Sequence, residues 1–175
     1  ACLGGVALPA GIEQLGRAGI GLYGGNPLAS GKASDVGLKA VVSVFGKVLQ
    51  VRGIKAGTPV GYGGTYTAIA DERIMIVGVG YADGVPRLLS NQGHIFVQGK
   101  RCAIRGRVSM DMLHADASKV DVAVGDWVEV MGVNICVDDI AAQAQTISYE
   151  VFTGLGKRLH RVYRNDSESG LIEGR

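Results

Sequence analysis

The sequence has few cysteines, no long apolar run and almost no excess of charge, and each shortage excludes a class of protein. The three cysteines (Cys2, Cys102 and Cys136) are odd in number and far apart, which indicates neither a disulfide framework nor a CxxC zinc site. We expect buried thiols in a reducing compartment. No segment approaches the roughly 18 apolar residues of a membrane span. A formal net charge of +2 gives no electrostatic case for binding nucleic acid or an anionic membrane surface.

Glycine and apolar residues are what the sequence has in abundance. Of its 175 residues, 28 are glycine and 47% are hydrophobic, whereas 19% are charged. This composition excludes wholesale disorder, and the glycines lack the period of three that collagen requires, so we assign them to turns and close backbone contacts. The length predicts one domain, or one domain with a fragment of another. The three histidines (His94, His114 and His160) are scattered, and no metal site is predicted.

The two ends of the sequence differ from its middle. Residues 1–24 begin with apolar sequence and are interpreted as a short βα piece from the interior of a structured region. Residues 25–31 contain Gly, Pro and Ser and indicate a domain boundary. Residues 166–175 are polar and aperiodic, and Ile172-Glu-Gly-Arg175 resembles the recognition sequence of a processing protease. We therefore predict a frayed tail or a tag remnant there.

The middle of the chain has the pattern of many short strands separated by glycine turns. β-Branched and alternating stretches predict strands over residues 40–51 (bent), 73–80, 94–97, 102–108, 110–116, 125–131 and 159–163. Two short helices are predicted, one through Gln145 that Asp138 or Asp139 caps, and one over residues 149–153. The fold class is therefore mainly β, a small β-barrel or sandwich with a short α/β stub.

Five segments together resemble the C-terminal half of alanine racemase, the pyridoxal 5'-phosphate (PLP) enzyme that interconverts L- and D-alanine. They are Arg17-Ala-Gly-Ile-Gly-Leu-Tyr-Gly24, Val60-Gly-Tyr-Gly-Gly-Thr65, Gly78-Val-Gly-Tyr-Ala-Asp-Gly84, Gly106-Arg-Val-Ser-Met-Asp-Met112 and Thr146-Ile-Ser-Tyr-Glu-Val151. Their order and spacing are those of the family. The resemblance implies that residues 1–24 are the remnant of a PLP-binding TIM barrel, that 25–165 are the family's C-terminal β domain, and that 166–175 are the tail.

The resemblance also implies catalytic roles. Tyr81 matches a tyrosine base that one subunit supplies to its partner's site, since racemisation needs a base on each face of the substrate. A phenol with a pKa near ~10 needs cationic neighbours or hydrogen-bond donors to act near neutrality. Met110 matches a residue whose backbone N–H contacts the substrate carboxylate. Arg107 and Ile147 match positions that line the entry channel.

For the cofactor, the resemblance assigns four positions. Arg17 matches the arginine that faces the pyridine nitrogen of PLP, and a guanidinium cannot pass that nitrogen a proton as a carboxylic acid would. The family usually has proline where Ala18 stands. Gly19 and Ile20 match backbone N–H groups that hold the phosphate, and Tyr149 matches a hydroxyl that reaches it. The family's PLP lysine lies in an upstream motif that is absent here, so we expect the isolated chain to be inactive.

The resemblance further implies a cytoplasmic homodimer that makes D-alanine as a peptidoglycan precursor, with no nucleic-acid or membrane partner. Two alternatives remain open at this point. Serine racemases and broad-specificity amino-acid racemases share these motifs, and pocket size decides between them. A non-catalytic β module whose glycine-rich loops bind a partner protein or small ligand belongs to another class, and it predicts that Tyr81→Phe leaves every native activity unchanged.

Overall fold

The computed structural model describes residues 18–28 and 31–164, and antiparallel strands form most of this part of the chain. The strands are β1 (Val44–Ile54), β2 (Pro59–Val60), β3 (Tyr66–Thr67), β4 (Glu72–Val77), β5 (His94–Val97), β6 (Lys100–Ala103), β7 (Leu113–Asp116) and β8 (Trp127–Met131). The helices are α1 (Val137–Gln143) and α2 (Ser148–Thr153). Short 3-10 turns lie at Ile20–Tyr23, Ala33–Val36, Tyr62–Gly64, Tyr81–Asp83 and Arg87–Leu89.

One six-stranded sheet organises the domain, with the strand order β6-β5-β8-β1-β4-β7. An isolated antiparallel bridge between Ile104, just after β6, and Ala115 in β7 joins the two outer strands. This bridge brings the sheet close to a closed barrel, which removes the unpaired edges that an open sheet exposes. Strands β2 and β3 form a separate two-stranded hairpin. The predicted mainly-β fold class is confirmed.

β1 is the longest strand and is bent, as its sequence predicts. Its register shifts between Val48 and Gln50 in the pairing with β4, and between Val44 and Phe45 in the pairing with β8. Such irregularities bend a strand and increase its twist. The first half of β1 therefore pairs with β8 and the second half with β4. The strand begins four residues later and ends three residues later than the predicted range 40–51.

The core consists of the alternate apolar residues that face the inside of this sheet. Side chains with no solvent exposure come from nearly every large strand: Val48, Met75, Val77, Ile95, Leu113 and Val128. Successive side chains of a strand point to opposite faces, so alternating sequence buries one face and exposes the other. Burial of apolar surface supplies roughly 25 cal/mol per Å² and makes this cluster the main stabilising element.

Three local predictions are wrong. Residues 159–163 form no strand, since Val162 and Tyr163 are exposed and no ladder partner lies beside them in the described part of the chain. The second strand of the predicted hairpin begins at Lys100 and ends at Ala103, because the chain leaves β5 at the tight turn over Gln98 and Gly99. β7 begins at Leu113, so Met110 lies in a loop and not in a strand.

The predicted helix cap is also wrong. Cys136 occupies the N-cap of α1, and no side chain caps this helix. Asp138 instead uses its carboxylate for contacts with distant segments.

Cysteine and histidine show no metal chemistry in the described residues. No group of three or more His, Cys, Asp or Glu side chains is placed to hold a metal ion there. Cys102 is buried and Cys136 is half-buried, and both are free thiols. Cys2 lies outside the described residues. Among the helices that the structure describes, none is long and apolar enough to cross a membrane.

Candidate functional site

A surface cavity of about 410 Å³ lies where three loops of the domain meet. Its lining comes from the turn after β2, the turn after β4, and the segment that precedes β7: Tyr62, Tyr81, Arg87, Arg107, Val108, Ser109, Met110, Asp111 and Met112. We call it the tyrosine cavity. Three predicted site residues, Tyr81, Arg107 and Met110, are therefore brought together. Ile147 is not part of this lining and is exposed at the N-cap of α2.

Backbone hydrogen bonds hold the Tyr81 turn against the Met110 loop. The N–H of Tyr81 donates to the carbonyl of Ser109 at 2.9 Å, and the N–H of Ala82 donates to that of Met110 at 3.0 Å. A Cβ added to Gly80 would overlap both of these carbonyl groups, so only glycine permits so close an approach. The Tyr81 side chain, 44% exposed, is thus held at the rim of the cavity by main-chain geometry.

A buried carboxylate supports the same turn. Asp83 is 7% exposed and accepts a 2.9 Å hydrogen bond from the N–H of Gly80. Arg158 lies 3.5 Å from Asp83 and 2.7 Å from Asp111, which follows Met110. A single guanidinium therefore bridges the two loops that carry Tyr81 and Met110. The N–H of Met110 donates to no acceptor in the described part of the chain, which leaves it available for a carboxylate.

Tyr62 is a second tyrosine on this cavity, and sequence reasoning assigned it no role. Its neighbours Gly61 and Gly63 have φ angles of 73° and 72°, values that glycine adopts readily. This turn presents the Tyr62 side chain to solvent, and it is 75% exposed. The guanidinium of Arg107 lies about 3.5 Å from the Cβ position of Gly63. The sequence does contain a feature that could have identified Tyr62: it is an aromatic residue between glycines in one of the five matching segments.

The hairpin that carries Tyr62 is anchored by Tyr66 in β3. Its hydroxyl donates a 2.6 Å hydrogen bond to Glu72, and the guanidinium of Arg105 lies 4.6 Å from its ring centre. Arg105 in turn pairs with Asp116 at 3.1 Å. Burial, with the hydrogen bond to Glu72, raises the pKa of Tyr66 to about 12. Tyr66 is therefore a neutral structural hydrogen-bond donor under ordinary conditions.

The remaining predicted cofactor contacts meet at a second place, which we call the phosphate corner (Gly19, Ile20 and Tyr149). Gly19 precedes the 3-10 turn Ile20–Tyr23, and its Cβ position lies 3.7 Å from the Tyr149 hydroxyl. The Cβ position of Gly25 lies 2.6 Å from Ile20 and 3.2 Å from Ser148, so the turn packs directly on α2. Arg17 lies outside the described residues.

The donor chemistry of the phosphate corner fits a phosphate. A phenolic hydroxyl and the N–H groups at the start of a 3-10 turn are hydrogen-bond donors, and no carboxylate is among its members. The glycine lacks a side chain that would obstruct an anion. None of the three residues lines the tyrosine cavity.

The chain is similar to known proteins in both sequence and fold. Residues 41–163 match the family model described as the C-terminal domain of alanine racemase. The chain is 44% identical over 153 residues to an alanine racemase of Hahella chejuensis, covering 87% of this chain and 41% of that protein. It is also 44% identical over 150 residues to a catabolic alanine racemase of Agrobacterium fabrum, covering 84% of this chain and 38% of that protein.

Solved structures are similar in fold as well as in sequence. The biosynthetic alanine racemase of Pseudomonas aeruginosa aligns with a TM-score of 0.80 and 40% identity, over 84% of this chain and 41% of that one. The alanine racemase of Bartonella henselae with covalently bound pyridoxal phosphate aligns with a TM-score of 0.76 and 40% identity, over 83% and 40%. The chain thus spans about two fifths of the length of these relatives.

Proposed function

Because this chain belongs to the alanine racemase family, we propose that it is the C-terminal part of a PLP-dependent racemase that interconverts L- and D-alanine. The observation that carries the proposal is the tyrosine cavity. It combines exposed phenols, two arginines and a backbone N–H that donates to no acceptor among the described residues, all within one matched domain. These groups are the ones that proton transfer at an amino acid with a bound carboxylate requires.

The cofactor contacts follow from the phosphate corner. PLP would be held by its phosphate, through the N–H groups of Gly19 and Ile20 and the hydroxyl of Tyr149. Arg17 would face the pyridine nitrogen, where a guanidinium keeps its own protons and passes none to the ring. When bound, PLP supplies an electron sink for the negative charge that forms at the α-carbon. The protein's residues then decide where protons are added and removed.

Tyr81 is the proposed base on one face of the substrate, supplied to the partner subunit's site in a homodimer. Its backbone is hydrogen-bonded to Ser109, which holds the start of its side chain close to the Met110 loop, whose N–H would hold the substrate carboxylate. Arg107 lines the same cavity and would guide the anionic end of the substrate. Ile147 would line the entry channel together with it.

Tyr62 is a second candidate for the same role, and two observations favour it. It protrudes further, with 75% of its side chain exposed against 44% for Tyr81, as a group that must reach a partner's site should. Its turn also lies against the Arg107 guanidinium.

Direction-resolved α-proton exchange in the complete enzyme tests both candidates. Tyr81→Phe and Tyr62→Phe are each compared with wild type for exchange of L-alanine and of D-alanine in D2O, with PLP absorbance as the check on cofactor binding. Replacing the true base should slow exchange from one enantiomer by about 10²–10⁴-fold and spare the other. Loss that is equal for both enantiomers, or no loss in either variant, would contradict two-base racemisation.

The division of the chain is part of this proposal. Residues 1–24 would be the end of the PLP-binding barrel, 25–165 the β domain and 166–175 a tail, in a cytoplasmic homodimer that supplies D-alanine for peptidoglycan. The chain alone should form no stoichiometric covalent adduct after treatment with PLP and borohydride, since none of its segments matches the motif that carries the family's PLP lysine. An intact mass that shows one stoichiometric adduct would overturn this part.

The alternatives predict different outcomes. A serine or broad-specificity racemase would turn over serine or lysine faster than alanine when the complete enzyme is given each in turn. A non-catalytic β module would exchange no α-proton at all, and Tyr81→Phe would leave its native binding unchanged. Neither alternative is favoured by a specific feature of the tyrosine cavity.

A further inference from the structure

Asp138 lies in the first turn of α1 and accepts hydrogen bonds from three separate parts of the chain. Its Oδ1 accepts from the N–H of Asn26 at 3.1 Å and from the hydroxyl of Ser148 at 2.6 Å. Its Oδ2 accepts from the N–H of Ala33 at 2.9 Å. The contacts to Asn26 and Ala33 cross 112 and 105 residues of sequence. One carboxylate therefore joins α1, α2 and the segment before β1.

These contacts reach both sides of the phosphate corner. Ser148 is the first residue of α2, directly before Tyr149, and it is 7% exposed. Asn26 follows Gly25, whose backbone packs against Ile20 and against Ser148. Tyr149 and the Gly19–Ile20 turn belong to different segments, and Asp138 is hydrogen-bonded to the immediate neighbourhood of each. The distance between the hydroxyl and amide donors thus depends on this carboxylate.

The hydrogen bonds keep Asp138 ionised. Burial by itself raises the pKa of this carboxyl, but the bonds from Ser148 and from the amides of Asn26 and Ala33 outweigh it and lower the pKa below its ordinary value. Hydrogen bonds to a charged acceptor are stronger than those between neutral groups. A charged acceptor is suited to hold these three donors in one arrangement.

We propose that Asp138 is a positioning residue for the cofactor phosphate, which it serves by setting the Tyr149 hydroxyl and the Gly19–Ile20 amides at the separation that a phosphate spans. The inference rests on the proposed function, because it takes the anion at the phosphate corner to be that of PLP. Asp138 itself would touch no cofactor atom.

The test compares affinity for PLP with affinity for pyridoxal, the same ring without the phosphate, in the complete apoenzyme. Equilibrium dissociation constants are measured by absorbance or fluorescence titration for wild type, Asp138→Ala and Asp138→Asn. Asp139→Asn is the matched control, since this neighbouring carboxylate forms only ion pairs with the partly exposed Lys32 and Arg101 among the described residues. Circular dichroism confirms that each variant is folded.

The ratio of the two dissociation constants is the decisive readout. In Asp138→Ala the preference for PLP over pyridoxal should fall by about tenfold, the equivalent of 1.4 kcal/mol, because only PLP uses the disturbed donors. Asp138→Asn keeps one acceptor oxygen, so its preference for PLP over pyridoxal should fall by less than in Asp138→Ala. The asparagine variant also provides a result if the alanine variant does not fold. Asp139→Asn should keep the wild-type ratio.

A merely structural role predicts a different pattern. If Asp138→Ala and Asp138→Asn weaken PLP and pyridoxal equally, or weaken neither, the positioning role is overturned while the proposed function stands. If the wild-type enzyme binds no PLP, or shows no preference for it over pyridoxal, the proposed function fails first and this inference fails with it.

Discussion

The N–H of Tyr81 and the carbonyl oxygen of Ser109 are joined by a 2.9 Å hydrogen bond that links the two loops of the tyrosine cavity. This contact involves main chain on both sides, so the position of the Tyr81 turn does not depend on the side chain of residue 109. It does depend on the absence of a side chain at Gly80, next to Tyr81. We therefore expect substitutions to be tolerated at Ser109 but not at Gly80.

Gly80→Ala should destabilise the protein by roughly 1–3 kcal/mol, because the new methyl group overlaps the carbonyls of Ser109 and Met110 and must push the loops apart. Urea unfolding measures the change in free energy. Gly53→Ala is the control, since a Cβ there meets nothing within 4 Å, and it should leave the unfolding midpoint nearly unchanged. Equal effects of the two substitutions would show that close loop packing is not required at Gly80.

Met75→Ala should cost roughly 2–5 kcal/mol of unfolding free energy, since it opens a cavity at a side chain with no solvent exposure in the middle of β4. Thermal and urea unfolding both report this loss. Ile69→Ala removes a comparable apolar side chain that is 87% exposed, and it should change stability by less than about 0.5 kcal/mol. A small effect at Met75 would mean that the barrel interior is not the main core.

Tyr66 should be the source of a phenol ionisation at about 12, visible in absorbance at 295 nm and missing in Tyr66→Phe. Its folded pKa is raised above the unfolded value of roughly 10, so its contribution to stability is present below pH 10 and is lost as pH rises toward 12. Wild type should lose more stability than Tyr66→Phe over this interval. The control is Tyr163→Phe, at a side chain that is 88% exposed. It should leave the ionisation near 12 in place.

Arg158 and Asp111 should show only weak coupling in a double-mutant cycle of Arg158→Ala and Asp111→Asn. Both side chains are about half exposed, 54% and 52%, so solvent screens their 2.7 Å ion pair. We expect a small coupling free energy that decreases as salt is added. A larger, salt-insensitive value would mean that this pair and not the backbone fixes the Tyr81 and Met110 loops to each other.

The strands illustrate what was predictable. β4 and β8 were predicted close to their observed bounds, because the short apolar run of β4 and the alternation of apolar and polar residues in β8 are local properties of the sequence. The predicted strand over 159–163 had suitable composition, but a strand also needs a ladder partner, and none lies beside it in the described residues. Composition can suggest a strand, whereas pairing decides whether it forms.

The sequence likewise predicted some residues of the site and missed another. The matching segments sufficed to select Tyr81, Arg107 and Met110, and the structure places these three on one cavity. They did not show that Tyr62 faces the same space, because that depends on how the β2–β3 hairpin folds over the segment before β7. A local sequence pattern contains no information about which loops meet in the folded chain.

Asp138 shows most clearly which contacts cannot be predicted from the sequence alone. By position it resembled a helix cap, an interaction within a few residues, yet its partners Asn26 and Ala33 lie more than a hundred residues away. The sequence by itself determined the β class, the core alternation and the family, since these depend on residue types at short spacing. Tertiary structure alone decided which donors meet which carboxylate and which tyrosines share a cavity, because hydrogen bonds and packing act through space and not along the chain.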